Sequence, residues 1–307
     1  MLKKISIRKI VLSTVALFAM TLMYLIPPNK NNLKIKEELE YVEKQVEGAD
    51  IFLMDKNSYI ALTETPVTEK DIEKRARELI KILTIGGMDS KVPSGFSAII
   101  PPDTEILDIT FDHEVLKVNF SKEILDIDKN LEEKMIEAII YTLTSIDKVE
   151  KIILYVEGDI LTKLPKTKIN LPSTLDRTFG INKEFNLTNT KNITDVTVYY
   201  INQINENYYY VPVTKYLNDD RDKIDIIMDE LSVKQNPNKK LRSYLNNNVK
   251  IVSKSIEEKM IKLEFEEKSE IKETKENIDK TVALSICETY KIEDIELNQI
   301  KKTCKHI

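Results

Sequence analysis

Hydrophobic and polar positions fall into short blocks along this chain, and the same series of blocks is written twice. Residues 51–54 and 59–65 read as two strands around a Lys56-Asn57-Ser58 turn. Thr68 offers a cap for a helix with Ile72, Ala76, Leu79, Ile80 and Leu83 on one face, and Gly86-Gly87 stops it. Leu107, Ile109 and Phe111 alternate with polar residues, as do Leu116, Val118 and Phe120. With a turn at 112–114 they predict a hairpin with one buried face. Leu131, Met135, Ala138, Ile139 and Leu143 line a second helix, and residues 149–156 close the series as a strand.

The second series runs in the same order. Residues 196–201 and 208–213 pair around Asn205-Glu206-Asn207, and Ile224, Ile227, Met228 and Leu231 line a helix. Residues 249–253 lead into alternating Ile261, Leu263 and Phe265. A helix with Ile278, Val282, Ser285 and Ile286 then precedes a strand at 292–300. Local matches support a duplication. Pro66-Val67-Thr68 recurs as Pro212-Val213-Thr214, Phe120 answers Phe265, and residues 147–152 answer residues 290–295. The expected fold is therefore α+β: two tandem modules, each ββαββαβ, with helices on one face of a small mixed sheet. The first module spans 49–164 and the second 195–307. Residues 165–194 either link them loosely or pack against both through Leu171, Leu175, Phe179, Ile181 and Phe185.

A different pattern opens the chain. Residues 10–26 are uncharged and mostly apolar, follow Lys3, Lys4, Arg8 and Lys9, and end at Pro27-Pro28. The length suits a membrane span or a signal peptide, and the run lacks the polar face of a buried core helix. No clear small-x-small cleavage pattern follows it, so an uncleaved anchor is expected. The basic tip, residues 1–9, then stays in the cytoplasm and the bulk lies outside it, beyond a stalk at 27–48. The chain is thus expected to be a single-pass membrane protein.

Composition narrows the chemistry. Net charge is −5 with both signs interleaved, which gives no sign of a nucleic-acid partner. Cys287 sits in a helical pattern and Cys304 in a polar tail, so no disulfide framework is indicated and Cys287 reads as a small core residue. His113 falls at a hairpin turn and His306 beside the C-terminus, neither with ligands at metal spacing. No phosphate-binding loop occurs. Neither a catalytic site, a cofactor nor a metal is expected. Tyr199, Tyr200 and Tyr208–Tyr210 stack across a hairpin and suit sheet packing; left on an outer face, they would offer a surface for sugar or protein.

Read whole, residues 92–104 contain Pro93, Gly95, Ser97, Ala98, Ile99 and Pro101. With the hairpin at 116–121, the segment 138–152 containing Thr142-Leu143-Thr144, and Glu157-Gly158, this loop resembles the GerMN module of the sporulation and spore-germination protein M family of spore-forming Firmicutes. Arg177, followed by Ile181-Asn182, resembles the signature after that module. The second module keeps the order but lacks the loop, with Asn236-Pro237-Asn238 roughly in its place, and has Ser285-Ile286-Cys287 for the Thr-Leu-Thr triplet. The resemblance implies a ring-building-motif-like fold and a non-enzymatic role. Implied partners are envelope proteins of a channel complex between mother cell and forespore, with self-association and peptidoglycan as further possibilities. Many family members are lipoproteins; this chain has no cysteine before Cys287, which leaves the tether to the apolar helix. The proline and glycine of the loop either set its turn or meet a partner.

Overall fold

The computed structural model describes residues 7–25, 47–205, 207–232, 241–243, 245, 249–266 and 272–304. Residues 1–6, nearly all of the stalk, Glu206, Asn236-Pro237-Asn238 and His306 lie outside the described residues. The N-terminal run forms α1 (Ile7–Leu25). Arg8 and Lys9 fall inside this helix, so its uncharged part rises only about 24 Å against a hydrocarbon core of about 30 Å. Among the described residues no helix is long and apolar enough to cross a membrane.

Residues Gln45–Ile307 form a separate compact unit. It opens with the antiparallel pair β1 (Glu47–Asp55) and β2 (Ile60–Val67). Asp71 caps α2 (Ile72–Leu83) by accepting from the Lys74 amide. Thr68 therefore does not cap it; its amide is held instead by the buried Glu78 carboxylate. β3 (Phe96–Ser97) joins the outer edge of β1. β4 (Ile106–Asp112), β5 (Val115–Phe120), α3 (Lys129–Leu143), β6 (Lys151–Val156) and β7 (Asp159–Ile160) follow, with β5 and β6 parallel. β8 (Glu184–Asn186) belongs to the connection.

The second copy supplies β9 (Thr194–Ile204), β10 (Asn207–Leu217), α4 (Lys223–Ser232), β11 (Lys250–Ile256), β12 (Met260–Glu266), α5 (Lys272–Tyr290), β13 (Asp294–Leu297) and β14 (Ile300–Thr303). Its details repeat the first. Leu116 pairs with Ile152 as Ile261 pairs with Ile295, which puts buried Phe120 and Phe265 on matching rungs. A β-bulge interrupts β4 between Ile106 and Asp108, and β11 between Ile251 and Ser253. The helix-to-strand turns carry Lys148 and Lys291 at positive φ. Glu157-Gly158 and Asn298-Gln299 turn the closing hairpins, all four at positive φ.

Four expectations need correcting. Each module does not build one sheet. The hairpins β1–β2 and β9–β10 merge into a shared six-stranded sheet, while β4–β7 and β11–β14 form separate four-stranded mixed sheets. The match of Pro66 with Pro212 is a coincidence of chain distance: Pro66 pairs with Gly48, whereas Pro212 pairs with Tyr199, on a different rung. Leu107 is exposed because the bulge breaks the alternation that would bury it. Cys287 and Cys304 form a disulfide, with Cα atoms 5.7 Å apart. Their patterns, helix and polar tail, hid the pairing because β14 folds back along the last turn of α5.

Two cores result, one per module, and they interlock. Tyr199 and Leu284 of the second copy pack into the first core, and Ala61 and Phe96 of the first into the second. Leu171, Leu175 and Ile181 of the connection are buried in the first core with Phe179 against it, while Phe185 stays exposed and stacks on Tyr216.

At each hairpin edge a helix hydroxyl replaces the missing strand. The Phe52 amide donates to Thr142 Oγ1 at 3.0 Å, and the Tyr199 amide to Ser285 Oγ at 2.8 Å. The triplet difference thus conserves a hydroxyl at the same rung. Replacing Thr142 with Val, or Ser285 with Ala, strands a buried amide and costs about 1–3 kcal/mol. Urea unfolding should show this loss, with Thr142→Ser close to wild type.

Candidate functional site at the module junction

Arg177 stands where the two copies meet. Its Nε donates to Thr144 Oγ1 at 2.9 Å and its Nη2 to Ser145 Oγ at 2.7 Å and to the Tyr141 carbonyl at 3.1 Å, all from the end of α3. Its Nη1 reaches across to Glu288 Oε2 on α5 at 2.6 Å. The guanidinium lies 5.0 Å from the Tyr141 ring centroid and 5.6 Å from that of Phe52. Tyr141 OH donates to the Arg177 carbonyl, and Tyr199 OH to Glu288. Burial opposes the charge on Arg177, but the adjacent Glu288 outweighs it and holds the cation in place. Such a pair is costly to break, because the surviving partner is left as a buried charge.

Asn182 fastens the sheet itself. It adopts positive φ, which asparagine tolerates, and its amide lies between the two hairpins. Oδ1 accepts from the Ile60 amide at 2.9 Å, while Nδ2 donates to the carbonyls of Ile60 and Pro212, each at 2.7 Å. Strands β2 and β10 share a single rung, Tyr210 with Leu62, so this side chain does the work of missing ladder bonds. The Asn182 amide donates to Glu137 Oε2 at 2.9 Å on α3. Beside it the Ile181 amide donates to Thr214 Oγ1 at 3.0 Å.

The loop at 92–104 meets the second module as well. Gly95 has φ of 89°, and a Cβ there would lie 2.7 Å from the Ile204 side chain. Phe96 packs edge-on against Tyr209, 5.0 Å between centroids, and Tyr209 OH donates to buried Asp55 at 2.8 Å. The Phe96 amide donates to the Pro93 carbonyl, and Ser97 pairs with Met54. Ile99 is buried, its amide bound to Leu83; Ala98 is half-buried; the Pro101 carbonyl accepts from Thr104. The loop both sets a turn and makes a contact, and the contact lies within the chain. Among the described residues the second copy keeps the matching rung, Ile201 with Arg242.

The motif residues thus divide. Arg177, Asn182, Thr144 and Gly95 converge on the junction, and Thr142 sits one turn of α3 away. Leu143 is core. Glu157 and Gly158 sit apart at the β6–β7 turn, where Gly158 donates to Asn119. Sequence reading missed Glu288, Glu137, Asp55 and Tyr199 as junction residues. Only an acid on an otherwise apolar helix face hinted at Glu137 and Glu288.

Around Arg177 opens a cleft of about 810 Å³ between α3 and α5, lined by Asp50, Asp176, Glu150, Lys151, Lys291 and Glu293 among others. Burial, reinforced by Glu288, pushes the Tyr141 and Tyr199 phenols well above their ordinary value, so neither supplies a base at neutral pH. His113 is a solvated turn residue whose pKa the hydrogen bond to Asp112 raises. Among the described residues no group of three His, Cys, Asp or Glu could hold a metal.

Comparison with known proteins points one way. The family described as "Germane: Sporulation and spore germination" matches residues 50–162. The spore germination protein GerM of Bacillus subtilis is 30% identical over 221 residues, 70% of this chain and 60% of that protein. This chain therefore spans less than two thirds of that relative. A solved structure of the tandem GerMN domains of the Bacillus subtilis sporulation protein GerM is 25% identical. It superposes with a TM-score of 0.72, covering 82% of this chain and 90% of that one.

Glu137 gives the junction a pH dependence. Burial raises its pKa to about 7 from 4.5, against the opposing pull of the Asn182 amide and Lys183, with Glu133 and Lys134 also nearby. The folded state holds this proton more tightly than the unfolded chain. Stability from this group is full below pH 4.5 and is lost as pH rises to about 7. Glu137→Gln should remove that decline, on the order of 3 kcal/mol at most. Urea midpoints of both proteins at pH 5 and pH 8 check it.

Proposed function

Because the chain belongs to the sporulation and spore-germination family of tandem GerMN-domain proteins, we propose that it is a non-catalytic scaffold of the cell envelope. It acts outside the cytoplasm during sporulation and germination. Its fused modules present one rigid surface to envelope proteins of a channel between mother cell and forespore. The observation that supports this reading most is the use of the polar groups gathered at the junction. Arg177, Glu288, Asn182 and Glu137 are spent on holding module to module. None is left free to carry a reaction.

Two features support the compartment. The Cys287–Cys304 disulfide suits an oxidising space. The apolar residues 10–26 behind a basic tip suit delivery to a membrane, where they serve as tether. A peptidoglycan-binding role rested on an exposed tyrosine face. Tyr199, Tyr200 and Tyr209 are buried and Tyr208 and Tyr210 half-buried, which leaves little of such a face.

Deleting the gene in the native spore former should lower the yield of heat-resistant spores at least tenfold, restored by the wild-type gene. Normal spore yield together with normal germination would contradict the proposal.

A further inference from the structure

The duplication makes β11 conspicuous, because its counterpart is covered and, among the described residues, it is not. β4 and β11 are the outer strands of matching sheets, each with a bulge on the same rung. Side chains of α2 close the open side of β4: Glu73 accepts from the Phe111 amide at 2.9 Å, and Arg77 donates to the Ile106 carbonyl at 3.2 Å. Among the described residues no side chain reaches the outer backbone of β11. Its residues are nearly all exposed, including Val252 at 53% and Ile256 at 51%. An unpaired strand edge carrying apolar residues is a template for another strand.

The sequence of that edge says which strand fits. Read outward from Lys254 in both directions, residues 252–256 are self-complementary for antiparallel pairing. Ser253 then faces Ser255 of a second copy and Val252 faces Ile256, while Ile251 meets Glu257, the first residue past the strand's end. Apolar therefore meets apolar and hydroxyl meets hydroxyl, combinations that stabilise cross-strand pairs. A lysine on the axis would ordinarily discourage pairing with its own copy. Here Lys254 is folded back on α4, 2.9 Å from Asp225 and 3.5 Å from Asp222, which neutralises it. The pairing is isologous and closes on itself, so it yields a two-fold dimer rather than an open chain.

We propose that β11 is a homodimerisation edge, joining two copies of this chain antiparallel about Lys254 into one continuous eight-stranded sheet.

Lys254→Cys in the full-length chain in detergent tests this, because the two-fold brings identical residues together. Under mild oxidation it should form a covalent dimer at least tenfold faster than Asp108→Cys, placed on the covered edge β4. Val252→Asp with Ile256→Asp, added to Lys254→Cys, should abolish the cross-link while leaving far-ultraviolet circular dichroism unchanged. Sedimentation of the wild-type chain should show a dimer that this double substitution converts to monomer. Equal cross-linking at the two edges, cross-linking that survives the aspartates, a monomeric wild type, or a dimer unaffected by the aspartates would each overturn it.

Discussion

One half-buried guanidinium sets the arrangement of the paired modules. Arg177 has its carboxylate partner on the second copy and its hydroxyl and carbonyl partners on the first. Each module alone would strand one half of that set in a low-dielectric setting, where an unmatched charge is costly. The ion pair is therefore satisfied only when α3 and α5 lie together. Asn182 adds a directional constraint at the sheet, since its three bonds to Ile60 and Pro212 tolerate little sliding between β2 and β10. Both residues lie in one short stretch of the connection, so the linker is itself the fastener.

The asymmetry of the two copies follows from this. The first copy keeps a glycine-bearing loop because Ile204 and Tyr209 of the second dock on it. Hydroxyls stand at both Thr142 and Ser285 because each closes a hairpin edge inside its own module. The disulfide ties β14 to the helical turn carrying Glu288, one residue beyond Cys287, and so supports the acid that Arg177 needs.

Much of the local structure was legible in the pattern of apolar residues. The helical stripes of α2 and α3 and the alternation in β5 and β12 are short-range signals, and their buried residues match. What the pattern could not carry was long-range. A single rung between Tyr210 and Leu62 leaves no mark on either strand, so the shared sheet was invisible. The bulge at Leu107 breaks a period that reads perfectly along the chain. Cys304 pairs with Cys287 only because a two-residue turn at Asn298-Gln299 returns the tail, and polar composition hid that strand. The junction was half legible: Arg177 and Asn182 stood out through resemblance, but Glu288 and Glu137 looked like ordinary helix acids.

The central claim is that the modules unfold as one body because the connection clamps them. Thermal unfolding followed with one probe in each module tests it directly. The wild-type chain should give coincident transitions, while Arg177→Ala combined with Asn182→Ala should separate them, the first change alone costing about 3–5 kcal/mol. Separate transitions in the wild-type chain, or a double variant that still melts as one unit at an unchanged midpoint, would contradict the account.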